Sequence, residues 1–205
     1  MAATLRYRLE SCRNRYGSHR GKILITFEEF EAQWLEDVQA DSPSTTQLGN
    51  RFAQKILRDW LEIDEATAEV ILCDGAGDGG IDAAVFVKAD PAEGIDGTTW
   101  ILVQSKYGTA LSGPNTITLE AQKLFATLEG RRPALSSLST ELVERLKNFL
   151  SNKGIGDKLE YVVATSRKLT DEELEYLKNV RVLGRDKFGD CFDTDAVSIE
   201  TIYNK

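Results

Sequence analysis

The sequence predicts an α/β protein in which a mixed central sheet is flanked by helices, with a helical extension at the N-terminus. An amphipathic helical pattern precedes three short strand-like apolar runs, and two further helical patterns precede a buried run at 159–165. Helices and strands that alternate in this way form a sheet covered by helices. With 205 residues, 41% of them hydrophobic, the chain can bury a substantial core, and one domain is the simplest count.

Two helices are expected before the sheet. The segment Thr26-Phe27-Glu28-Glu29 has the form of a capping box, in which the threonine hydroxyl and the Glu29 carboxylate each accept from a backbone amide. This segment and the apolar stripe after it predict a helix from about Phe27 to Gln39. A second stripe predicts a helix from about Thr46 to Ile63. We therefore assign residues 1–45 to a basic arm and N-terminal helix.

Three strands are expected next, around a glycine-rich turn. The runs Val70–Cys73 and Ala83–Val87 lie on either side of Gly75–Asp82, whose glycines indicate a turn between strands. A third strand begins at Trp100, after an irregular hairpin connection at 89–97.

The second half of the chain is expected to complete the sheet. A helical connection between strands favours parallel pairing, so the run at 159–165 is expected to lie parallel to the third strand. Residues 46–165 then form the core, and 166–205 form a C-terminal βα addition packed on the same domain. The predicted elements are helices at about Ile117–Leu128, Thr140–Ser151 and Thr170–Asn179, and strands at Leu159–Thr165, Val180–Leu183 and Ala196–Tyr203.

Polar residues lie at two points of the predicted hairpin. Asp82 ends the glycine-rich turn, while Gln104 and Lys106 follow the third apolar run and, two residues apart on a strand, point the same way. Such a cluster suits phosphodiester hydrolysis, in which a divalent cation held by oxygen ligands polarises the phosphate and acidifies water. Asp82, the Gln104 amide oxygen and the Ser105 backbone carbonyl are the candidate ligands. Lys106 would stabilise negative charge on the phosphoryl oxygens.

The segments Gly-Asp-Gly-Gly-Ile-Asp (77–82) and Val-Gln-Ser-Lys (103–106) resemble the motif of the PD-(D/E)xK nuclease superfamily. They look most like Mrr-type restriction endonucleases and the nuclease portion of abortive phage infection (AIPR) proteins. The resemblance implies a restriction-endonuclease-like fold in which Asp82 binds the metal, Gln104 takes the Glu/Gln position and Lys106 is the catalytic lysine. It also implies a further acidic metal position at Asp78.

The sequence departs from that pattern at one point. Relatives often carry Gly-x-x-Phe-Glu in the helix before the first strand, where the glutamate assists at the metal. Here Gly49-Asn50-Arg51-Phe52-Ala53 places alanine at that position. Asn50 and Gln54 are the neighbours that could substitute, but neither brings charge. The departure bears first on metal affinity.

The resemblance also implies a function. It indicates a metal-dependent endonuclease that uses Mg²⁺ or Mn²⁺ to hydrolyse nucleic acid, with DNA as the expected substrate, in restriction or anti-phage defence. Because a double-strand break needs two hydrolytic events, a homodimer is attractive. AIPR-like proteins usually continue past their nuclease portion, so a further C-terminal domain or a partner chain is also an expectation.

The net charge of −8 is distributed unevenly. Residues 1–22 hold six basic residues and one acidic residue, or +5, which leaves 19 of the 25 basic and 32 of the 33 acidic residues, or −13, elsewhere. Such an arm could contact phosphates and release counterions, with Arg13, Arg15 and Arg20 as the candidates. A solvated or partner-binding start fits the same composition.

Two other sites could contact nucleic acid or could have a purely structural or solvent-facing role. Tyr107, after the third strand, could stack on a base or be half-buried packing. Arg131 and Arg132, between two helices, could bind backbone phosphate or face water.

Several classes of protein are excluded or disfavoured. The three cysteines are far apart and form no Cys-x-x-Cys pair, which argues against a disulfide framework and a zinc site. His19 is the only histidine, so a Ser-His-Asp or Cys-His hydrolase is disfavoured. No apolar run approaches a membrane span, and Met1–Glu10 lacks the apolar core of a signal peptide, so a cytoplasmic protein without membrane contact is expected.

Three alternatives remain open. Asp-Gly and Gly-Gly pairs are ordinary hairpin residues, and a lysine at a strand end often only reaches water. A nuclease-fold module that has lost catalysis and serves in nucleic-acid binding or assembly is a second hypothesis, motivated by Ala53 and the uncharged Gln104. A nucleotide-binding loop at Gly75–Gly80 is a third and weaker one, since it matches neither a P-loop nor a dinucleotide fingerprint.

Overall fold

The computed structural model describes residues 25–61, 68–73, 77–132 and 134–205. The basic arm at 1–22 lies outside these ranges. The described part of the chain forms six helices and five strands, with two short 3₁₀ turns at Pro91–Glu93 and Gly108–Ala110. In chain order the elements are α1 Phe27–Gln39, α2 Thr45–Leu61, β1 Ala68–Leu72, β2 Ala83–Val87, β3 Thr99–Lys106, α3 Pro114–Leu128, α4 Ser137–Asn152, β4 Lys158–Thr165, α5 Asp171–Phe188, β5 Phe192–Ser198 and α6 Ile199–Tyr203.

The five strands form one mixed sheet in the order β1-β2-β3-β4-β5. The first two pairings, β1 with β2 and β2 with β3, are antiparallel, while β3 with β4 and β4 with β5 are parallel. The predicted α/β class and mixed sheet are therefore confirmed. So is the parallel pairing of β3 with β4, which follows from the helical connection through α3 and α4.

Each face of the sheet carries its own apolar cluster. On one face Trp100, Leu102 and Tyr161 are buried with residues of α3, α4 and α5. On the other face Ile101 and Val103 are buried with residues of α1, α2 and α6. The alternation along β3 decides which side chain meets which set of helices. It also places Gln104 and Lys106 on the face of α3, since they continue the even-numbered series.

Most of the predicted elements before residue 170 are confirmed with small shifts. The helix Phe27–Gln39 has the predicted bounds, and Thr26 and Glu29 form the expected reciprocal cap. Strand Ala83–Val87 is also as predicted. The second helix spans Thr45–Leu61, and the positions after Leu61 that the prediction included lie outside the described residues. None of the described helices is long and apolar enough to cross a membrane.

The predicted strand Val180–Leu183 is wrong, because α5 continues through this run to Phe188. The buried residues of α5 include Leu177, Val180 and Gly184, which follow one another at spacings of three and four. Val182 and Leu183 lie outside that stripe and are 66% and 46% exposed. The β-branched run resembled a strand locally, but packing on the sheet favours the helix.

The predicted C-terminal strand at 196–203 is wrong in its bounds. The strand is β5, Phe192–Ser198, and the chain then turns into α6 at Ile199. Ser198 starts this helix because its hydroxyl accepts from the Thr201 amide, while the Thr201 hydroxyl accepts from the Ser198 amide. The region after 166 thus contains a helix, a strand and a helix.

Two helical glycines have opposite surroundings, and they make a paired stability prediction. A Cβ on Gly184 would lie 2.1 Å from Cε1 of Phe192, whose ring is buried between Phe125 and Phe188. A Cβ on Gly49 in α2 would meet nothing within 4 Å. Gly184→Ala should therefore lower the free energy of unfolding by about 1–3 kcal/mol. Gly49→Ala should raise it by about 0.5–1 kcal/mol, as alanine does in open helix positions. Urea denaturation of both variants checks the pair, and equal shifts would contradict this packing of α5.

A partly buried carboxyl on β4 predicts a pH-dependent stability. Burial, together with the charges of Asp195 and Asp193 on β5, raises the pKa of Glu160 to about 7. The folded pKa thus exceeds the unfolded value of 4.5, so this contribution to stability is complete below about pH 4.5 and is lost as the pH rises through 7. Glu160→Gln should remove the loss. At pH 8 the variant should be more stable by up to about 3 kcal/mol, and near pH 4.5 the difference should be small.

Urea denaturation at a series of pH values measures this difference. Glu175→Gln, on the exposed surface of α5, is the matched control and should leave the pH profile unchanged. A Glu160→Gln profile that coincides with the wild type at every pH would contradict the assignment.

Candidate active site

A cleft of about 510 Å³ opens beside the carboxyl end of β3. Its walls come from the first turns of α2, the glycine-rich turn before β2, the end of β3, and α3 with the loop that follows it. Asp78, Asp82, Gln104, Ser105 and Lys106 all line it. The structure therefore brings the residues predicted for catalysis and metal binding to one place.

Asp82 is fixed by its backbone before its side chain is considered. Its amide donates to the carbonyl of Val103 on β3 at 2.9 Å, and its carbonyl accepts from the amide of Cys73 at 2.8 Å. The residue therefore lies between two neighbouring chains at the point where β2 begins. Its carboxylate projects toward the end of β3, where it meets Gln104 and Ser105.

The Asp82 carboxylate is held through one oxygen. Oδ2 accepts from Nε2 of Gln104 at 2.7 Å, from the Ser105 amide at 2.6 Å and from the Ser105 hydroxyl at 3.0 Å. Burial raises the pKa of Asp82, and although Ser105 and Lys106 oppose this effect they do not cancel it. The charged carboxylate is therefore less stable here than in water, and a nearby positive charge would stabilise it.

Two further oxygen atoms adjoin Asp82. Gln104 is only 3% exposed, and its Oε1 is buried without a hydrogen-bond partner among the described residues. The N–H and C=O of one strand residue point to the same edge. Since the Ser105 amide donates to Asp82, the Ser105 carbonyl faces the same side, beyond the start of β2. A carboxylate, an orphaned amide oxygen and a backbone carbonyl therefore lie next to one another.

The sequence analysis missed Glu120, which belongs to the same cleft. Its Oε1 lies 3.1 Å from Nζ of Lys106 and 3.0 Å from Nζ of Lys123. Burial raises the pKa of the Glu120 carboxyl, but Lys123 and Lys106 more than offset burial and hold this pKa below its ordinary value. Glu120 stays charged and fixes the direction of the Lys106 side chain. The only signal in the sequence was a carboxylate beside the apolar stripe of α3.

The glycine-rich turn is a close-packed connection. Gly79 and Gly80 have φ of +72° and +83°, and a Cβ on Gly80 would lie 2.9 Å from the Leu124 amide nitrogen in α3. The Thr127 hydroxyl donates to the Gly79 carbonyl at 2.7 Å. Asp78 accepts from the Gly80 amide through Oδ1 at 2.7 Å, so this oxygen stabilises the turn itself. The metal role of Asp78 stays a prediction.

The helix that precedes the sheet supplies no carboxylate at the expected position. Ala53 is buried in the apolar cluster, with 1% of its surface exposed. Of the two candidate substitutes, Asn50 lines the cleft, whereas Gln54 is exposed and lies outside the lining. Among the described residues, no group of three or more histidine, cysteine, aspartate or glutamate side chains is placed to hold a metal ion.

The predicted nucleic-acid contacts are only partly located. The Tyr107 ring packs 5.3 Å from that of Phe52 between centroids, and its hydroxyl accepts from Nε2 of Gln39 at 2.7 Å. This is the packing that was the alternative to base stacking, so a stacking role stays a prediction without a contact to support it. Arg13, Arg15 and Arg20 lie outside the described residues.

Comparison of the chain with models of protein families, with curated proteins and with solved structures found no match in any of the three.

Proposed function

We propose that the protein is a Mg²⁺- or Mn²⁺-dependent nuclease that hydrolyses phosphodiester bonds of nucleic acid, with DNA as the expected substrate. The observation that carries the proposal is the convergence of Asp82, Gln104 and Lys106 in one cleft, where the buried Oε1 of Gln104 has no hydrogen-bond partner among the described residues. A restriction-endonuclease-like fold, in the PD-(D/E)xK sense, is part of the same proposal, and so is a role in restriction or phage defence. The mixed sheet is compatible with that fold.

The oxygen atoms at the end of β3 suit a hard divalent cation. Asp82, Oε1 of Gln104 and the Ser105 carbonyl would hold it, and the raised pKa of Asp82 indicates a carboxylate that gains from a positive neighbour. Bound there, the cation would polarise a phosphoryl oxygen and acidify a water molecule. Magnesium ions in proteins keep several waters and are often held by one or two carboxylates together with substrate phosphate oxygens, so a single protein carboxylate is compatible with the proposed site.

Lys106 supplies the positive charge that the chain itself brings to the reaction. Its side chain is only 16% exposed, and the Glu120 carboxylate holds the ammonium group over the cleft. A fixed ammonium in a partly buried site stabilises negative charge that develops on phosphoryl oxygens, and it needs no reorganisation during the reaction. Glu120 acts through Lys106 and is therefore a positioning residue.

A second candidate is a module with the same fold that binds nucleic acid or assembles with a partner but does not cleave. Two observations favour it: Ala53 replaces the helix carboxylate with a buried methyl group, and the described residues hold no three-carboxylate cluster. Both would lower cation affinity. Homodimerisation and a C-terminal partner are compatible with either candidate.

Isothermal titration calorimetry with Mn²⁺ separates the two candidates. The nuclease hypothesis predicts saturable binding that is lost in Asp82→Asn. As the pH is lowered, binding should already weaken above the pH at which an ordinary aspartate is protonated, because the pKa of Asp82 is raised and its protonation competes with the cation. A folded wild-type protein that binds nucleic acid and takes up neither Mn²⁺ nor Mg²⁺ would favour the binding module.

A further inference from the structure

Two adjacent arginines after α3 have different surroundings. The guanidinium of Arg131 is paired with the carboxylate of Glu129, and its Nε lies 2.7 Å from Oε2. Arg132 lines the cleft, and its Nη1 is buried without a hydrogen-bond partner among the described residues. No ion pair of Arg132 is found in that part of the chain either. Leaving a buried cationic donor without a partner is energetically costly, which points to an anionic ligand.

The other basic side chains of the cleft each have a carboxylate partner. Lys106 and Lys123 share the Glu120 carboxylate, at 3.1 Å and 3.0 Å. The Oδ2 atom of Asp82 accepts hydrogen bonds from Gln104 and Ser105. Arg132 is therefore the basic side chain of the lining that has no carboxylate partner among the described residues, and an anion that enters the cleft meets it without having to displace an ion pair.

The loop that carries Arg132 is fixed against the glycine-rich turn. The Ser136 amide donates to the Gly77 carbonyl at 3.1 Å, and Thr127 donates to the Gly79 carbonyl at 2.7 Å. These contacts hold both ends of the α3–α4 connection on the wall of the cleft. Arg132 is thus held beside the turn that ends in Asp82.

The start of α2 offers further donors to the cleft. Thr45 and Thr46 line the cleft and form the first turn of α2, a helix of 17 residues. Ser44 and Gln47 bond each other reciprocally, which satisfies the Ser44 and Gln47 amides but leaves the amides of Thr45 and Thr46 without a described acceptor. Such a helix start attracts anions. The buried Nη1 of Arg132, which has no hydrogen-bond partner among the described residues, is the independent sign that an anion completes this part of the cleft.

We propose that Arg132 binds a backbone phosphate of a nucleic-acid strand and thereby orients the strand across the Asp82–Lys106 site. The guanidinium presents a planar fork that matches two phosphate oxygens, which lysine cannot do. The inference rests on the proposed function for the identity of the substrate. It adds a phosphate contact that is separate from the residues at the reacting phosphate.

Fluorescence anisotropy with a labelled single-stranded DNA of about eight nucleotides, in EDTA, tests this contact without hydrolysis. Arg132→Gln should weaken binding by about tenfold or more and should lower the slope of log K against log salt concentration by about 0.7. Arg132→Lys should weaken binding by less and keep the slope, because the charge remains while the fork is lost. Arg131→Gln, the adjacent paired arginine, is the matched control and should bind like the wild type.

Three results would overturn the inference. The first is that the wild type shows no measurable binding, and the second is that Arg131→Gln and Arg132→Gln lose equal amounts of affinity. The third is that a mononucleotide such as dTMP binds as tightly as the octamer, since a free nucleotide would then be the occupant. Thermal denaturation of each variant shows that it is folded. Failure of the nuclease proposal is seen separately. A wild-type protein that binds DNA through Arg132 but does not cleave it would contradict the nuclease proposal and would still support the phosphate contact.

Discussion

Replacing Asp82 by asparagine is expected to abolish cation-dependent cleavage, with a fall of about a thousandfold or more in rate. The reason is that Asp82 is the only carboxylate in the proposed ligand set, and the loss of several kcal/mol of charge stabilisation gives a change of this size. The fold should tolerate the change. Asparagine keeps an oxygen that can accept from the Ser105 amide and hydroxyl. It also removes a carboxyl group whose pKa is raised by burial, so no charge has to be buried.

The Asp82→Asn variant should therefore lose cleavage while its melting temperature stays the same or rises. Asp90→Asn is the matched control, because Asp90 also accepts from a backbone amide, that of Ala92 at 3.1 Å, but at the opposite end of the β2–β3 hairpin. Cleavage by Asp90→Asn should equal that of the wild type. Full activity in Asp82→Asn would remove the basis of the assignment.

Lys106→Met is expected to lower the cleavage rate by about 10²–10³-fold while cation binding persists. Methionine keeps the apolar stem of lysine but removes the ammonium that would face the phosphoryl oxygens. The loss should appear mainly in kcat, because the interaction strengthens as charge develops. Stability should change little, since Glu120 retains Lys123 as an ion-pair partner.

Single-turnover kinetics with saturating Mn²⁺ measure the effect, and calorimetry confirms that the cation still binds. Lys178→Met on α5 removes a similar lysine from an ion pair with Glu175, at 2.9 Å and far along the chain from the cleft, and it should leave the rate unchanged. If Lys106→Met and Lys178→Met cleave equally well, Lys106 has no part in the reaction.

The sequence predicted the centre of the fold well because its signals there are local. Capping at Thr26, the glycines before Asp82 and the alternation of β3 each follow from the chemistry of a few neighbouring residues. The helical connection then determined the parallel pairing of β3 with β4. These same features placed Gln104 and Lys106 on one face, where the structure has them.

The errors and omissions depend on contacts that are distant in sequence. Val180–Leu183 has strand-like residues, but the helix is favoured because Val180 and Gly184 pack toward the sheet, with Gly184 against Phe192 on β5. Glu120 could not be assigned to the site from the sequence, because the assignment requires knowing how α3 is rotated about its axis and therefore which of its side chains face the cleft. The difference between Arg131 and Arg132 likewise depends on which of them turns into the cleft.

The most direct test of the central claim is incubation of supercoiled plasmid and of single-stranded DNA with the wild-type protein in Mg²⁺ or Mn²⁺. EDTA and the Asp82→Asn variant serve as controls. We expect cleavage that requires the cation, is stopped by EDTA and is absent in the variant. If the folded wild-type protein binds DNA but leaves both substrates intact with either cation, the nuclease proposal is contradicted. The result would instead support a nucleic-acid-binding module without catalysis.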